Sequence, residues 1–295
     1  MNENQMNDKV IEKYLKAGKI LSKVRNEVKD KIKVGSKLVD IADFIENRTI
    51  ELGGFPAFPC NISRNDEAAH STPCRDDSVI FGNDMIKIDM GVHVDGYIAD
   101  SAFTADLLGN KDLVKASEDA LFAAIDIIKE GVNTARIGSV IESTITENGF
   151  KPIINLSGHG LAQYVTHAGV TIPNKHTNHG TVLKQGDAIA IEPFATDGIG
   201  KVVDGVTTEI YSVVANKPIR MKAARDLMKE IEFYKTLPFA KRWLKSKKLD
   251  FSLKQLIRSN ILRGYPVLKE ISGGMVSQAE HTVIVMKDGC EITTI

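Results

Sequence analysis

This sequence has no excess of either charge: 38 Lys and Arg stand against 38 Asp and Glu in 295 residues. A chain with no overall field is not marked as a binder of nucleic acid or of a membrane surface. It is also short of cysteine. Cys60, Cys74 and Cys290 have no CxxC spacing and cannot all pair, which excludes a disulfide framework and makes a reducing cytoplasm the default. Each reads as a small buried or idle thiol, although Cys60 and Cys74 flank His70 and could lie near a site there. No apolar run approaches the roughly 18–20 residues that span a bilayer. The polar start, MNENQMNDKV, lacks the apolar core of a signal peptide. A cytoplasmic location without a membrane segment is therefore expected.

What is present is ordinary for a folded α/β chain: 43% apolar and 26% charged residues. The length suits one large unit plus an insertion. Ile11, Tyr14, Leu15, Gly18, Leu21 and Val24 recur at helical spacing near the start, and a second helix is expected from about Lys37 to Glu51, stopped at Gly53-Gly54. A stretch punctuated by proline and glycine, GGFPAFPCNISRNDEAAHSTP, follows and carries His70. Two more helices are expected near 111–130 and 134–148, with Thr134 as N-cap of the second.

Residues 86–107 form the clearest hairpin. Ile86, Ile88, Met90, Val92 and Val94 alternate with Lys87, Asp89, Gly91, His93 and Asp95, and Asp95-Gly96 signals a two-residue turn. With that turn Val94 pairs with Tyr97 and Asp100 lies opposite Gly91, on the face of Asp89 and diagonal to it. Diagonal neighbours are about 7–8 Å apart, close enough for both carboxylates to reach one metal pair. An internal repeat extends the pattern: NDMIKID at 83–89 matches GDAIAIE at 186–192, placing Asp89 and Glu192 at equivalent points. The terminal stretch AEHTVIVMKDGCEITT reads as another hairpin, opened by Glu280 and turned at Asp288-Gly289. Two similar halves around a central site are implied.

Between the strands of the second half, residues from about 217 to 270 read as a basic, mostly helical insertion. Nine Lys or Arg face one acid, Asp250, between Lys241 and Lys269. A solvated helical face is the preferred reading of this charge, with an RNA- or ribosome-facing surface as the alternative.

Asp89, Asp100, His159, Glu192 and Glu280 form an oxygen-rich donor set with one imidazole, suited to two divalent first-row metals sharing a water. Four carboxylates would balance the four positive charges of two such ions, leaving a bridging hydroxide as the reactive group. His159 sits between two glycines, which let backbone approach a ligand closely. His167 follows eight residues later, a spacing that fits neither HExxH nor one helical face. His93, His176, His179 and His281 are read as structural.

The segments AAHSTP (68–73), IDMGVHVDGYIAD (88–100), GHGLAQYVTHAG (158–169), IEPF (191–194) and AEHTVIV (279–285) resemble, in order, the signatures of the methionine aminopeptidases. The long gap between Glu192 and Glu280, with its PFAKRWL stretch, resembles the helical insertion of the type 2 enzymes. The lack of a long charged N-terminal extension resembles their archaeal members. The resemblance implies a pita-bread α/β (α+β) fold, with two pseudo-symmetric halves whose antiparallel sheets are covered by helices. Residues 1–200 and 271–295 would form the catalytic domain and 201–270 the helical insertion. It implies removal of N-terminal methionine from nascent polypeptides when the second residue is small, by a monomer holding two divalent ions (Co, Mn, Fe or Zn). Asp89 would chelate one ion, Asp100 and Glu280 would bridge both, and His159 and Glu192 would complete the second. Glu192 would also shuttle the proton. His70 would hydrogen-bond the substrate near the scissile amide, His167 would polarise its carbonyl, and Phe58 and Phe194 would line the methionine pocket. Thr166, before His167, could alter the pocket rim. The competing readings are an X-Pro aminopeptidase or prolidase of the same fold and, from another class, a non-catalytic RNA- or ribosome-binding homologue.

Overall fold

The computed structural model describes residues 7–295, so the first six residues of the polar N-terminus lie outside the described residues. Helix α1 (Asp8–Lys29) is capped by Asn7, whose side chain accepts from the Lys9 amide at 3.0 Å. Its residues Tyr14, Ala17, Leu21, Val24 and Val28 share one buried face, as their spacing requires. Helix α2 (Leu38–Glu51) buries Leu38, Ile41, Ala42 and Ile45 and stops at Gly53, whose φ of 84° takes the chain into the left-handed region. Both helices cover a sheet in which β1 (Phe55–Arg64) pairs with a long hairpin, after the short β2 (Glu67–Ala69). The hairpin is β3 (Met85–Val94) and β4 (Tyr97–Asp106), with Val94 opposite Tyr97 and Gly91 opposite Asp100, the register expected from the Asp95-Gly96 turn. Each Ile, Leu or Val buried between these helices and the sheet contributes about 1.5–3 kcal/mol.

The second half repeats the plan. Helices α3 (Lys111–Asp126) and α4 (Thr134–Glu147) pack on a five-stranded sheet through Leu121, Ile137, Ile141 and Ile145. The expected cap of α4 is corrected by one position. Asn133, not Thr134, accepts from the Ala135 amide at 2.9 Å, while the buried Thr134 hydroxyl takes the Thr181 amide. After β5 (Lys151–Pro152) come β6 (Ser157–Ala162), β7 (Val165–Pro173), β8 (Ala188–Ile191) and β9 (Phe194–Thr196). The repeated sequences thus end β3's first half and β8, and both are antiparallel strands under a helix pair.

The segment expected to be a helical insertion departs from that expectation. It opens with a twelve-residue strand, β10 (Val202–Val213), and closes with β12 (Leu262–Glu270), which pair with each other. Only α5 (Lys222–Ile231) and α6 (Leu249–Arg258) are α-helices, with β11 (Phe239–Ala240) and two 3-10 turns between them. Strand β12 also pairs with β2, so this sheet joins residues on either side of the 201–270 boundaries. The basic residues are conspicuous in the sequence, whereas Val, Thr, Ile and Tyr in β10 find their partner some sixty residues away (Thr208 opposite Pro266).

The chain ends with β13 (Val276–Gln278), β14 (His281–Val285) and β15 (Cys290–Ile292). The order β15-β14-β8-β6-β7 sets β14 beside β8, and all five β14 residues are buried. Both its faces are covered because it also abuts β4 of the first half. There the Asp100 amide donates to the Thr282 hydroxyl at 2.7 Å and that hydroxyl donates to the Asp100 carbonyl at 2.8 Å. Ser101 donates to the Glu280 carbonyl, Glu280 N–H to the Ala102 carbonyl, and Thr104 to the Gln278 carbonyl. The two halves are stitched along this seam.

Candidate metal centre and substrate cavity

Four acids and one histidine meet where the seam crosses the two halves. Asp89 and Asp100 project from the β3–β4 hairpin, Glu192 follows β8, Glu280 precedes β14, and His159 lies on β6 beside β8. Continuing the pairing of His281 with Ile191 by one step sets Glu280 opposite Glu192. Donor atoms of Asp100, His159 and Glu280 all lie within 4.8 Å of one another. The His159 Nε2 atom is 3.8 Å from Asp100 and 3.7 Å from Glu192. Its Nδ1 lies 3.3 Å from the Gly160 carbonyl, which can only accept. The proton therefore belongs on Nδ1, and the Nε2 lone pair faces the carboxylates.

The electrostatics of this cluster are unfavourable without cations. Burial, reinforced by the neighbouring acids, raises the carboxyls of Asp100, Glu192 and Glu280 well above the usual range. Burial likewise raises Asp89 to about 7 against the opposing hydrogen bond from Gln278. Burial, with His167 alongside, lowers His159 to about 3, so its imidazole is neutral. Asp89 Oδ1, Asp100 Oδ1 and Glu280 Oε2 are buried with no hydrogen-bond partner. Native proteins rarely leave such oxygens unmatched. A donor set of carboxylate oxygens and one imidazole nitrogen, with three orphaned oxygens, fits divalent first-row cations.

A cavity of about 220 Å³ opens onto this cluster. Phe58, Phe194, His70 and His167 all line it, together with the five acid and imidazole donors. Phe58 crosses β3 at Gly91, where a Cβ would stand 2.3 Å from its ring, so the absent side chain makes room for the ring on the lining. His70 adopts a φ of 63°, and its Nδ1 lies 3.2 Å from the Pro266 carbonyl. Burial lowers its pKa to about 4, so the neutral ring donates from Nδ1 and keeps Nε2 as an acceptor. The rings of His159 and His167 are 4.2 Å apart between centroids, and burial again lowers His167.

Several residues on or behind the lining were not foreseen. Gln278 donates to Glu192 at 3.5 Å; it sits two residues before Glu280, on the same side of the chain, which could have flagged it. Asn61 faces Asp89 across the β1–β3 ladder, and no local signal marks it. Ile210, Pro238, Tyr265 and Leu268 come from the inserted segment, which therefore forms one wall of the cavity as well as a solvated face. Thr166 is on the lining, as its place before His167 suggested. The remaining histidines are held elsewhere. His93 accepts from the Gly96 amide and stacks on Phe55, His281 bonds Thr294, His176 bonds Ser139, and His179 is exposed. All three cysteines are free and none lines the cavity, though Cys60 adjoins Asn61.

The model of metallopeptidase family M24 matches residues 12–237. A methionine aminopeptidase of Archaeoglobus fulgidus is 53% identical over 98% of this chain and 100% of its own length. The chain belongs to the M24 methionine aminopeptidases. A second family member, from Methanocaldococcus jannaschii, is 50% identical over 96% of this chain and 98% of its own. The fold is shared with the crystal structure of a Thermotoga maritima methionine aminopeptidase, at 23% identity, a TM-score of 0.73 and 98% coverage of both chains. It is shared too with a thermophilic Arx1, at 19% identity and a TM-score of 0.85, over 98% of this chain and 91% of that one. The architecture is thus the pita-bread one expected, and the protein is a metallopeptidase whose family implies divalent metal ions. Among the described residues no helix is long and apolar enough to cross a membrane.

Proposed function

We propose that this chain removes N-terminal methionine from polypeptides whose second residue is small, using two divalent ions held by Asp89, Asp100, His159, Glu192 and Glu280. The observation that carries the reading is that all five donors line one cavity with Phe58 and Phe194, while three of their buried carboxylate oxygens have no hydrogen-bond partner. When bound, the ions would lower the pKa of a shared water and polarise the substrate carbonyl. Glu192, aimed by Gln278, accepts the proton of that water and returns it to the departing amine. His70, with Nε2 left as acceptor by the Pro266 carbonyl, takes the N–H of the scissile amide and orients it. His167 donates to the carbonyl oxygen as negative charge develops there. Phe58 and Phe194 hold the methionine side chain away from water.

The 87 residues between Glu192 and Glu280, most of them in the β10–β12 segment, support assignment to the type 2 subgroup and support treating 201–270 as its insertion. Nascent chains met in the cytoplasm by a monomer are the substrate setting we infer. Exposed Lys245, Lys247 and Lys248 support a supplementary ribosome contact. An X-Pro activity is disfavoured: the prolidase of Pyrococcus furiosus shares the fold at 18% identity over only 65% of its length. The test is methionine release from Met-Ala-Ser by chelated and then metal-reconstituted protein, beside an X-Pro peptide. Glu192→Gln should cut kcat by about 10²–10⁴-fold. Release from X-Pro peptides alone, or from neither, would overturn the reading.

A further inference from the structure

Arg242 is a buried cation that the chemistry above does not use. It stands in the 3-10 turn Lys241–Trp243 of the inserted segment, 8% exposed, although its run of basic neighbours marks it as a surface residue. Its guanidinium forms a hydrogen-bonded ion pair with Glu46 of α2, itself 7% exposed. The same group donates from Nη1 to the Thr72 hydroxyl at 2.6 Å and toward the Pro73 carbonyl at 3.4 Å. Thr72 in turn donates to the Cys60 carbonyl at 2.7 Å, and Glu46 accepts from the Cys60 amide at 3.1 Å and from the Trp243 indole at 2.7 Å. One buried ion pair thus ties α2, β1 beside Asn61, the loop after β2 and the inserted segment at a single point.

The loop it grips carries His70, two residues before Thr72. His70 is held at positive φ, which a residue with a Cβ adopts only when its surroundings impose it. Two contacts from the 201–270 segment flank it: the His70 ring nitrogen lies against the Pro266 carbonyl of β12, and Arg242 donates to the hydroxyl two residues on. A buried ion pair gives little net stability over a well-packed apolar replacement, so stability alone is a weak account of this one. Its geometry serves orientation, because the Nη1 contacts are spent on the loop.

We propose that the Arg242–Glu46 pair is a positioning device, which holds His70 at the scissile amide by clamping Thr72 and so makes the inserted segment necessary to the reaction. This rests on the reading of His70 as a substrate contact. The metal donors lie on other strands, so the clamp should act on turnover and not on metal content.

The experiment is a double-mutant cycle on the metal-loaded protein with Met-Ala-Ser. Thr72→Val removes only the clamped hydroxyl at nearly constant volume. Arg242→Lys keeps the charge facing Glu46 but loses the fork. Each is expected to bind the wild-type complement of metal and to lower kcat/KM about tenfold or more, mainly through kcat, as small misplacements of a reacting group do. In a His70→Ala background the same substitutions should cost about twofold at most, since residues acting as one unit are not additive. Losses that multiply fully in that background, or a fully active Thr72→Val, overturn the positioning role while leaving His70 intact as a contact. An unimpaired His70→Ala instead overturns the reading of His70, and the proposal with it.

Discussion

His167 is separated from the metal donors by less than a side chain, and its role can be tested without disturbing them. Its ring packs on His159 and lines the cavity, and although the residue stays open to solvent on one side, desolvation by its neighbours lowers its pKa. A neutral imidazole can still donate to a developing oxyanion, and removing one such donor typically costs about 10²–10³-fold in kcat. His167→Ala should show that loss in methionine-release kinetics, with bound metal unchanged. A loss of metal in this variant would mean that the ring supports His159 instead. The neighbouring His159 illustrates what a residue's surroundings decide. Flanking glycines in the sequence marked it as a ligand candidate, but the tautomer that frees Nε2 comes from the Gly160 carbonyl, 3.3 Å from Nδ1.

At the scale of elements, the seam between β4 and β14 sets the spacing of the acids. Thr282 serves both polar groups of Asp100's backbone, donating to one and accepting from the other. Thr282→Val keeps the shape and leaves both groups buried and unmatched, which should cost about 1–3 kcal/mol for each. Urea unfolding of the metal-loaded variant checks this, and an unchanged midpoint would mean the seam is held by packing alone. The hairpin of β3 and β4 was legible because its information is local: alternation plus a two-residue turn fixes which residues face each other. The β10–β12 pair was not. Its strands are separated by two helices and two 3-10 turns, and nothing local reports which distant partner a strand will meet.

For the whole molecule, the metal-free protein holds four acids against one another, Asp100 and Glu280 buried and Asp89 and Glu192 partly so, and this sets its response to pH. A carboxyl whose pKa is higher folded than unfolded contributes stability that is fully present below the unfolded value. That contribution is lost as pH rises through the folded one. Asp89, raised to about 7, and the three acids raised with it should therefore make the chelated protein less stable as pH climbs toward 8. Histidines held neutral act oppositely, but their effect is complete above the ordinary histidine value of 6.5. Melting temperatures of chelated protein should fall between pH 6.5 and 8. Added divalent ion at 100 times its Kd should restore about 2.7 kcal/mol. A flat profile for chelated protein would indicate that the acids are relieved by something other than metal.

The sequence by itself marked the five proposed donors, and it determined the register that puts Asp100 diagonal to Asp89, the repeat that makes Glu192 the counterpart of Asp89, and the helices α1 to α4 within a few residues. All of these rest on periodicity, turn chemistry and motif, which are written in neighbouring residues. Only the tertiary structure decided that Gln278 aims Glu192, that Asn61 faces Asp89, that the basic segment walls the cavity with Tyr265 and Leu268, and that Arg242 is buried on Glu46. Those facts are contacts between segments far apart in the chain. Burial reverses the meaning of a residue type there: an arginine that looks solvated is enclosed against Glu46, and an acid that looks ionised is pushed toward its protonated form.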